Sequence, residues 1–255
     1  MAQPGYTYRS SNSSGNFTTG VKWLLIVNTV IFLLTGLSKE FGPSLTSHLR
    51  LLELAPVAVV YHFAVWQLVT YLFLHGGIWH LVINMLMLWM FGADLERDWG
   101  TRRFFRYYFV CGVGAGLCAL AAALALASGP DDPMLGLPTI GASGAIFGLL
   151  LAFGVVYADR IILMMLLFPM KAKYAVMIFG VIEFYYMWQP SRGVSNVAHL
   201  GGMLFGYLYL KVRIKGGNPI AFARDRWRKW RMERARRRFQ VYLRKRGPGG
   251  DRWVN

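Results

Sequence analysis

Residues 141–156 read GASGAIFGLLLAFGVV, with no charge, no proline and a single hydroxyl, at Ser143. Gly144 and Gly148 are four apart and share one helical face, the small-xxx-small spacing that lets membrane helices approach closely. A helix crossing roughly 30 Å of hydrocarbon needs about 20 mostly apolar residues, and similar runs lie on both sides of this one. The candidates are Val21–Leu37, Ile78–Leu95, Phe104–Ala127, Ala142–Tyr157, Tyr174–Trp188 and Val197–Val212. The whole chain is 55% hydrophobic and 16% charged, against roughly a quarter charged in a soluble domain. The pattern predicts an all-α membrane protein, a six-transmembrane-helix bundle over residues 21–212.

Two apolar pieces do not fit a span. Ile161–Phe168 is short and bracketed by Asp159, Arg160, Pro169, Lys171 and Lys173. A continuous helix through it would carry two lysines and a proline towards mid-bilayer, so it belongs at the membrane surface. Leu51–Leu74, broken by Pro56, His62 and Gln67, reads as a long first loop with short helices lying partly in the membrane. Lys and Arg set the orientation: of the 28 basic residues only Lys39, Arg50 and Arg192 fall opposite the termini, so both termini are expected to be cytoplasmic. Residues 1–20, rich in Ser, Gly and Asn, read as a disordered polar tail, and 213–255 as a basic cytoplasmic tail, helix-compatible from Ala221 to Arg246. That helix either lies on anionic headgroups or is solvated and merely fixes topology. The net charge of +16 is concentrated there, and with no recognised nucleic-acid module beside it, nucleic acid is not an expected partner. Cys111 and Cys118 lie two turns apart on one helix, too far to bridge.

Polar side chains inside spans are costly to insert. Ser143 opens the fourth span, and His199 lies in Asn196-Val197-Ala198-His199-Leu200-Gly201-Gly202 at the start of the sixth. His80 and Asn84, four apart, share a face early in the second. Spans two, four and six all start on the non-cytoplasmic side, so these groups lie within about two turns of one membrane face. Gly144 and Gly148, with Gly202 and Gly206, would let the fourth and sixth spans meet. A serine hydroxyl becomes a nucleophile when a base takes its proton, and neutral histidine is the usual base. His80, Asn84 and the Ser143 amide could then stabilise an oxyanion. No cofactor is called for, and no metal site is expected, since His75 and His80 are five apart with no Cys nearby.

Through Gly141-x-Ser143-Gly144, Ala198-His199-x-x-Gly202-x-x-x-Gly206 and His80-x-x-x-Asn84, the chain resembles the rhomboid family of intramembrane serine proteases in its six-helix prokaryotic form. The resemblance runs from about Val21 to Val212, and Gly92-x-x-x-Glu96 and the stretch around His75 add to it. It implies Ser143 as nucleophile, His199 as general base, and His80 and Asn84 as oxyanion donors. Gly141, Gly144 and Gly202 would support the site, and the Phe147 ring would pack on the catalytic histidine. It further implies an endopeptidase of a bacterial inner membrane, cutting single-span membrane proteins at a locally unstable helix, with membrane lipids as its other partners. The family uses a dyad; Glu183, the only acidic residue of the fifth span, could be suspected as a third member, but it lies toward the outer end of that span and reads rather as a structural hydrogen-bonding group. Where the family often carries Trp-Arg, this chain has Trp66-Gln67, one charge fewer for ordering the first loop. The competing readings are an inactive rhomboid-like protein that binds transmembrane clients, which characteristically lacks the Ser or the His, and a small transporter, which calls for paired intramembrane charges or broken helices.

Overall fold

A computed structural model of the chain describes residues 17–38, 49–164, 167–188 and 193–214. The disordered N-terminal tail and basic C-terminal helix expected above therefore fall almost wholly outside the described residues. The chain divides into two compact units, Met1–Tyr207 and Leu208–Asn255. Of the second, only the end of the last helix, Leu208–Ile214, is described, and the packing below concerns the first.

In chain order the elements are α1 (Thr19–Ser38), α2 (Pro56–His62), α3 (Gln67–Thr70), α4 (Ile78–Trp99), α5 (Thr101–Leu126) and α6 (Ser143–Val156). A hairpin of β1 (Ile161–Met164) and β2 (Phe168–Lys171) follows, then α7 (Ala172–Met187) and α8 (Gly193–Ile214). A helix thus stands at each of the six apolar runs. Helices α1, α4 and α5 are long and apolar enough to cross a membrane, which makes this an integral membrane protein. Helix α6 has 14 residues, or about 21 Å at 1.5 Å per residue, less than the roughly 30 Å hydrocarbon core. Within α4, Leu88–Gly92 form a π-helical turn.

Helix α5 is central because one of its faces is nearly bare of side chains. Cys111, Gly112, Gly114, Ala115, Ala119 and Ala123 are buried, while Val110, Leu117 and Leu124 point outward. An apolar medium leaves a polar group no water, so the buried tyrosines need internal partners. Two find backbone carbonyls: the Tyr71 hydroxyl donates to Gly112 O at 2.7 Å and the Tyr107 hydroxyl to Gly148 O at 2.8 Å.

At the opposite end of α4 the buried Glu96 carboxylate caps α1. It accepts N–H bonds from Gly20 (2.7 Å) and Val21 (2.8 Å) and hydroxyl bonds from Thr18 and Thr101. These satisfy N–H groups that a helix start leaves without intrahelical acceptors, and an anion there also suits the helix dipole. Gly92 permits the approach, since a Cβ on it would stand 3.1 Å from Val21 and 3.2 Å from Phe104.

The first loop is ordered by the residue that lacks the family's charge. Gln67 is buried; its Oε1 accepts the Ala55 N–H at 3.0 Å and its Nε2 donates to Leu51 O at 3.2 Å. Trp66 Nε1 donates to the same Leu51 carbonyl at 3.0 Å, and Thr70 Oγ1 donates to Leu52 O at 2.8 Å. Leu54 and Thr139 exchange backbone hydrogen bonds of 3.1 and 2.8 Å, tying this loop to the segment entering α6.

The hairpin departs from an all-helical chain. Ile161 pairs with Lys171 and Met164 with Phe168 in an antiparallel register. Pro169 bars a continuing helix, and Ile161 and Ile162 are β-branched residues that suit a strand. Ile161, Leu163, Leu167 and Phe168 are exposed. Ion pairs of Arg160 with Asp94 and of Lys171 and Lys173 with Asp159 surround it. The two lysines hold the Asp159 carboxyl below the usual carboxylate range.

Candidate active site

Ser143 is the first residue of α6, and the turn before it is shaped by glycine. Gly141 has φ of +123°, a conformation that side chains disfavour, and its N–H donates to Tyr71 O at 2.9 Å. A Cβ on Gly141 would stand 2.8 Å from His80 Nε2 and 3.7 Å from Ser143 Oγ. Both side chains therefore border the same small space, and only a hydrogen leaves it open.

Helix α8 begins at Gly193, four residues before the expected Val197, so His199 sits in its second turn. His199 Nε2 lies 2.8 Å from Ser143 Oγ, a hydrogen-bonding distance. The imidazole stacks on Phe147, one turn beyond Ser143, with centroids 4.3 Å apart and planes 9° from parallel. Phe179 of α7 meets the Phe147 ring edge-on at 6.3 Å. The base is thus held by a ring that is itself held.

The backbones of α6 and α8 touch, as the paired glycines predict. A Cβ on Gly202 would stand 1.9 Å from Gly144 O, so no side chain fits there. The other glycines divide between neighbours. Gly144 faces Ala115 of α5, Gly148 faces both Cys111 and the Gly202 carbonyl, and Gly206 faces the Tyr107 hydroxyl. What the spacing predicts as a two-helix contact is a three-helix contact through α5. Cys111 and Cys118 are free thiols within it.

Of the remaining sequence-predicted residues, His80 is brought beside Gly141 and Ser143, with a long 3.5 Å bond from Gly76 N–H to its Nδ1. Asn84, one turn further along the same face of α4, is buried, and its Nδ2 has no hydrogen-bond partner among the described residues. No contact of Asn84 with Ser143 is seen. The His75 ring packs edge-on to His80 with centroids 5.0 Å apart. A small open cleft leads to Ser143 between Tyr71, Ile140, Gly141, Ala198 and His199. Among the described residues no three His, Cys, Asp or Glu are grouped to hold a metal ion.

One neighbour of the site goes beyond the dyad read from the sequence. Glu183 of α7 lies with Oε2 2.9 Å from His199 Nδ1, and the same oxygen accepts the Asn196 side-chain amide. The expected structural hydrogen bond of Glu183 is therefore made to the predicted base itself. The sequence marks Glu183 as the sole acidic residue of its run, and Asn196 and His199 are three apart on one face, but neither signal says that the carboxylate meets the ring.

Comparison with known proteins places this chain in a family. The model of the Rhomboid domain matches residues 62–216. Among relatives, RHOMBOID-like protein 1 of Arabidopsis thaliana is 32% identical over 175 residues, covering 66% of this chain and 39% of that protein. Rhomboid-like protease 3 of Toxoplasma gondii is 29% identical over 188 residues, covering 73% of this chain and 66% of that one. Rhomboid protease GluP of Bacillus subtilis is 32% identical over 142 residues, covering 56% of this chain and 25% of that protein. The chain thus spans well under half the length of the first and third of these.

Proposed function

The chain belongs to the rhomboid family, and from that membership and the site's geometry we propose that it is an intramembrane serine endopeptidase acting through Ser143 and His199. The observation that supports this most directly is the 2.8 Å approach of His199 Nε2 to Ser143 Oγ at the start of an apolar helix. In the proposed reaction Oγ attacks the carbonyl carbon of the scissile bond while its proton passes to Nε2. The substrate carbonyl oxygen becomes the oxyanion. Its donors are the Ser143 N–H, which a helix start leaves without an intrahelical acceptor, together with His80 and Asn84. Collapse breaks the C–N bond as the leaving amine takes the proton from His199. A water deprotonated by the same imidazole then hydrolyses the acyl-enzyme and restores Ser143.

The substrates are single-span membrane proteins whose helix unwinds locally to reach the cleft. The six helices act as six spans with both termini cytoplasmic, a reading supported by the distribution of Lys and Arg. Residues 21–212 form the protease domain, and the basic tail after it contacts anionic lipid.

Labelling with a fluorophosphonate tests the reading without a known substrate, because an activated serine displaces fluoride from phosphorus whereas a packing serine has no base to assist it. The adduct should map to Ser143 and vanish in Ser143→Ala and His199→Ala. Absence of any adduct on folded protein, with an active rhomboid labelled alongside, would favour a client-binding protein without activity.

A further inference from the structure

We propose that Glu183 is a positioning residue of this site, orienting His199 from the side opposite the serine; this rests on the Ser143–His199 reading. The two ring nitrogens of His199 have partners on either side, Ser143 Oγ at 2.8 Å from Nε2 and Glu183 Oε2 at 2.9 Å from Nδ1. In a neutral imidazole one nitrogen donates and the other accepts. A base needs Nε2 as the acceptor, so the proton must sit on Nδ1. An ionised carboxylate can only accept, so Glu183 selects the tautomer that leaves Nε2 free.

The carboxylate is itself held in place. The Asn196 amide, one turn before His199 on α8, donates to the same oxygen that faces the ring. Side-chain exposure is 12% for Glu183 and 20% for His199, so water competes little for the bond. Its neighbours on α7, Ile182, Phe184, Tyr185 and Tyr186, are exposed and face lipid in a membrane helix. An acidic side chain in such a helix is costly unless paired, and the partner found here is the imidazole. As His199 takes the serine proton, its positive charge develops beside this carboxylate, whose stabilisation of the imidazolium grows at that moment. The other groups facing the ring are Ser143 and Phe147 of α6; Asn196 of its own helix meets the carboxylate, and His80 of α4 is near enough to feel the charge of His199.

Glu183→Gln separates positioning from packing, because the amide keeps the volume but can turn a donor toward Nδ1 and favour the wrong tautomer. Purified full-length variants would be assayed in detergent on a transmembrane substrate across pH. We expect kcat to fall by about 10²- to 10⁴-fold with KM within about twofold. The acid limb of the pH profile should move to lower pH, since the imidazolium loses its counter-charge. Glu183→Asp should recover part of kcat and the wild-type acid limb. A folded Gln variant with near-normal kcat, or one whose loss leaves the acid limb in place, overturns the proposal. If the Gln variant does not fold, the Asp variant decides, and an Asp variant with wild-type thermal stability but no more activity than Glu183→Ala also overturns it. These failures leave the dyad intact. Loss of the wild-type fluorophosphonate adduct would instead remove the dyad.

Discussion

At the scale of single residues, the site is assembled from groups the surrounding chain can ill spare to bury. Asn84→Ala removes one proposed oxyanion donor and leaves two, so turnover should fall by roughly 10²- to 10³-fold and remain measurable, whereas Ser143→Ala should abolish it in the same cleavage assay. Gly202→Ala tests the helix contact: its Cβ would stand 1.9 Å from Gly144 O, so backbones must part. A loss of about 1–3 kcal/mol is expected from overpacking, seen as a lower thermal midpoint, with activity falling further because Ser143 and His199 sit on the two helices forced apart. The approach of His199 and His80 to Ser143 was legible in the sequence because each is a polar group near the start of an apolar run; Asn84 was picked out on the same ground but is not seen to meet Ser143. The bond from His199 to Glu183 was not legible. Depth along a helix can be counted, but its rotation about its axis depends on packing, and that rotation decides which side chain meets the ring.

At the scale of elements, the start of α1 is held by a carboxylate cap as well as by apolar packing. Glu96→Ala leaves the N–H groups of Gly20 and Val21 without their acceptor, at about 1–3 kcal/mol for each buried donor. Thermal stability should drop clearly, while cleavage measured at temperatures where the variant is folded should stay near wild type, because these bonds hold the start of α1 and none touches Ser143 or His199. The helices were readable from hydropathy to within a few residues, with α8 starting earlier than its apolar run since Gly193–Asn196 is helical as well. The strands of the hairpin were not foreseen, because a short apolar run carries no period that separates strand from helix. Gln67 looked like a missing charge; its amide supplies a donor and an acceptor where a guanidinium offers donors alone.

At the scale of the molecule, membrane core and tail should be separable. Removing 221–255 should leave cleavage in detergent unchanged and weaken binding to vesicles containing anionic lipid, as sedimentation at increasing salt would show. An inactive but folded truncation would give the tail a part in catalysis. The π turn at Leu88–Gly92 bears on the molecule as a whole, since it lies on α4 between His80 at one end and Glu96 at the other. Such a turn holds one residue more than regular α-helix, so it works as a phase adjuster between two separate appointments. Excising Met90 should therefore let the turn close into regular α-helix with His80 and Glu96 still facing as before, whereas removing a residue from the regular turns on either side would swing everything beyond it by about 100°. In that second case either the proposed oxyanion donors or the cap of α1 would face the wrong way, so the π turn is the one place between His80 and Glu96 where α4 can lose a residue and keep both ends in phase.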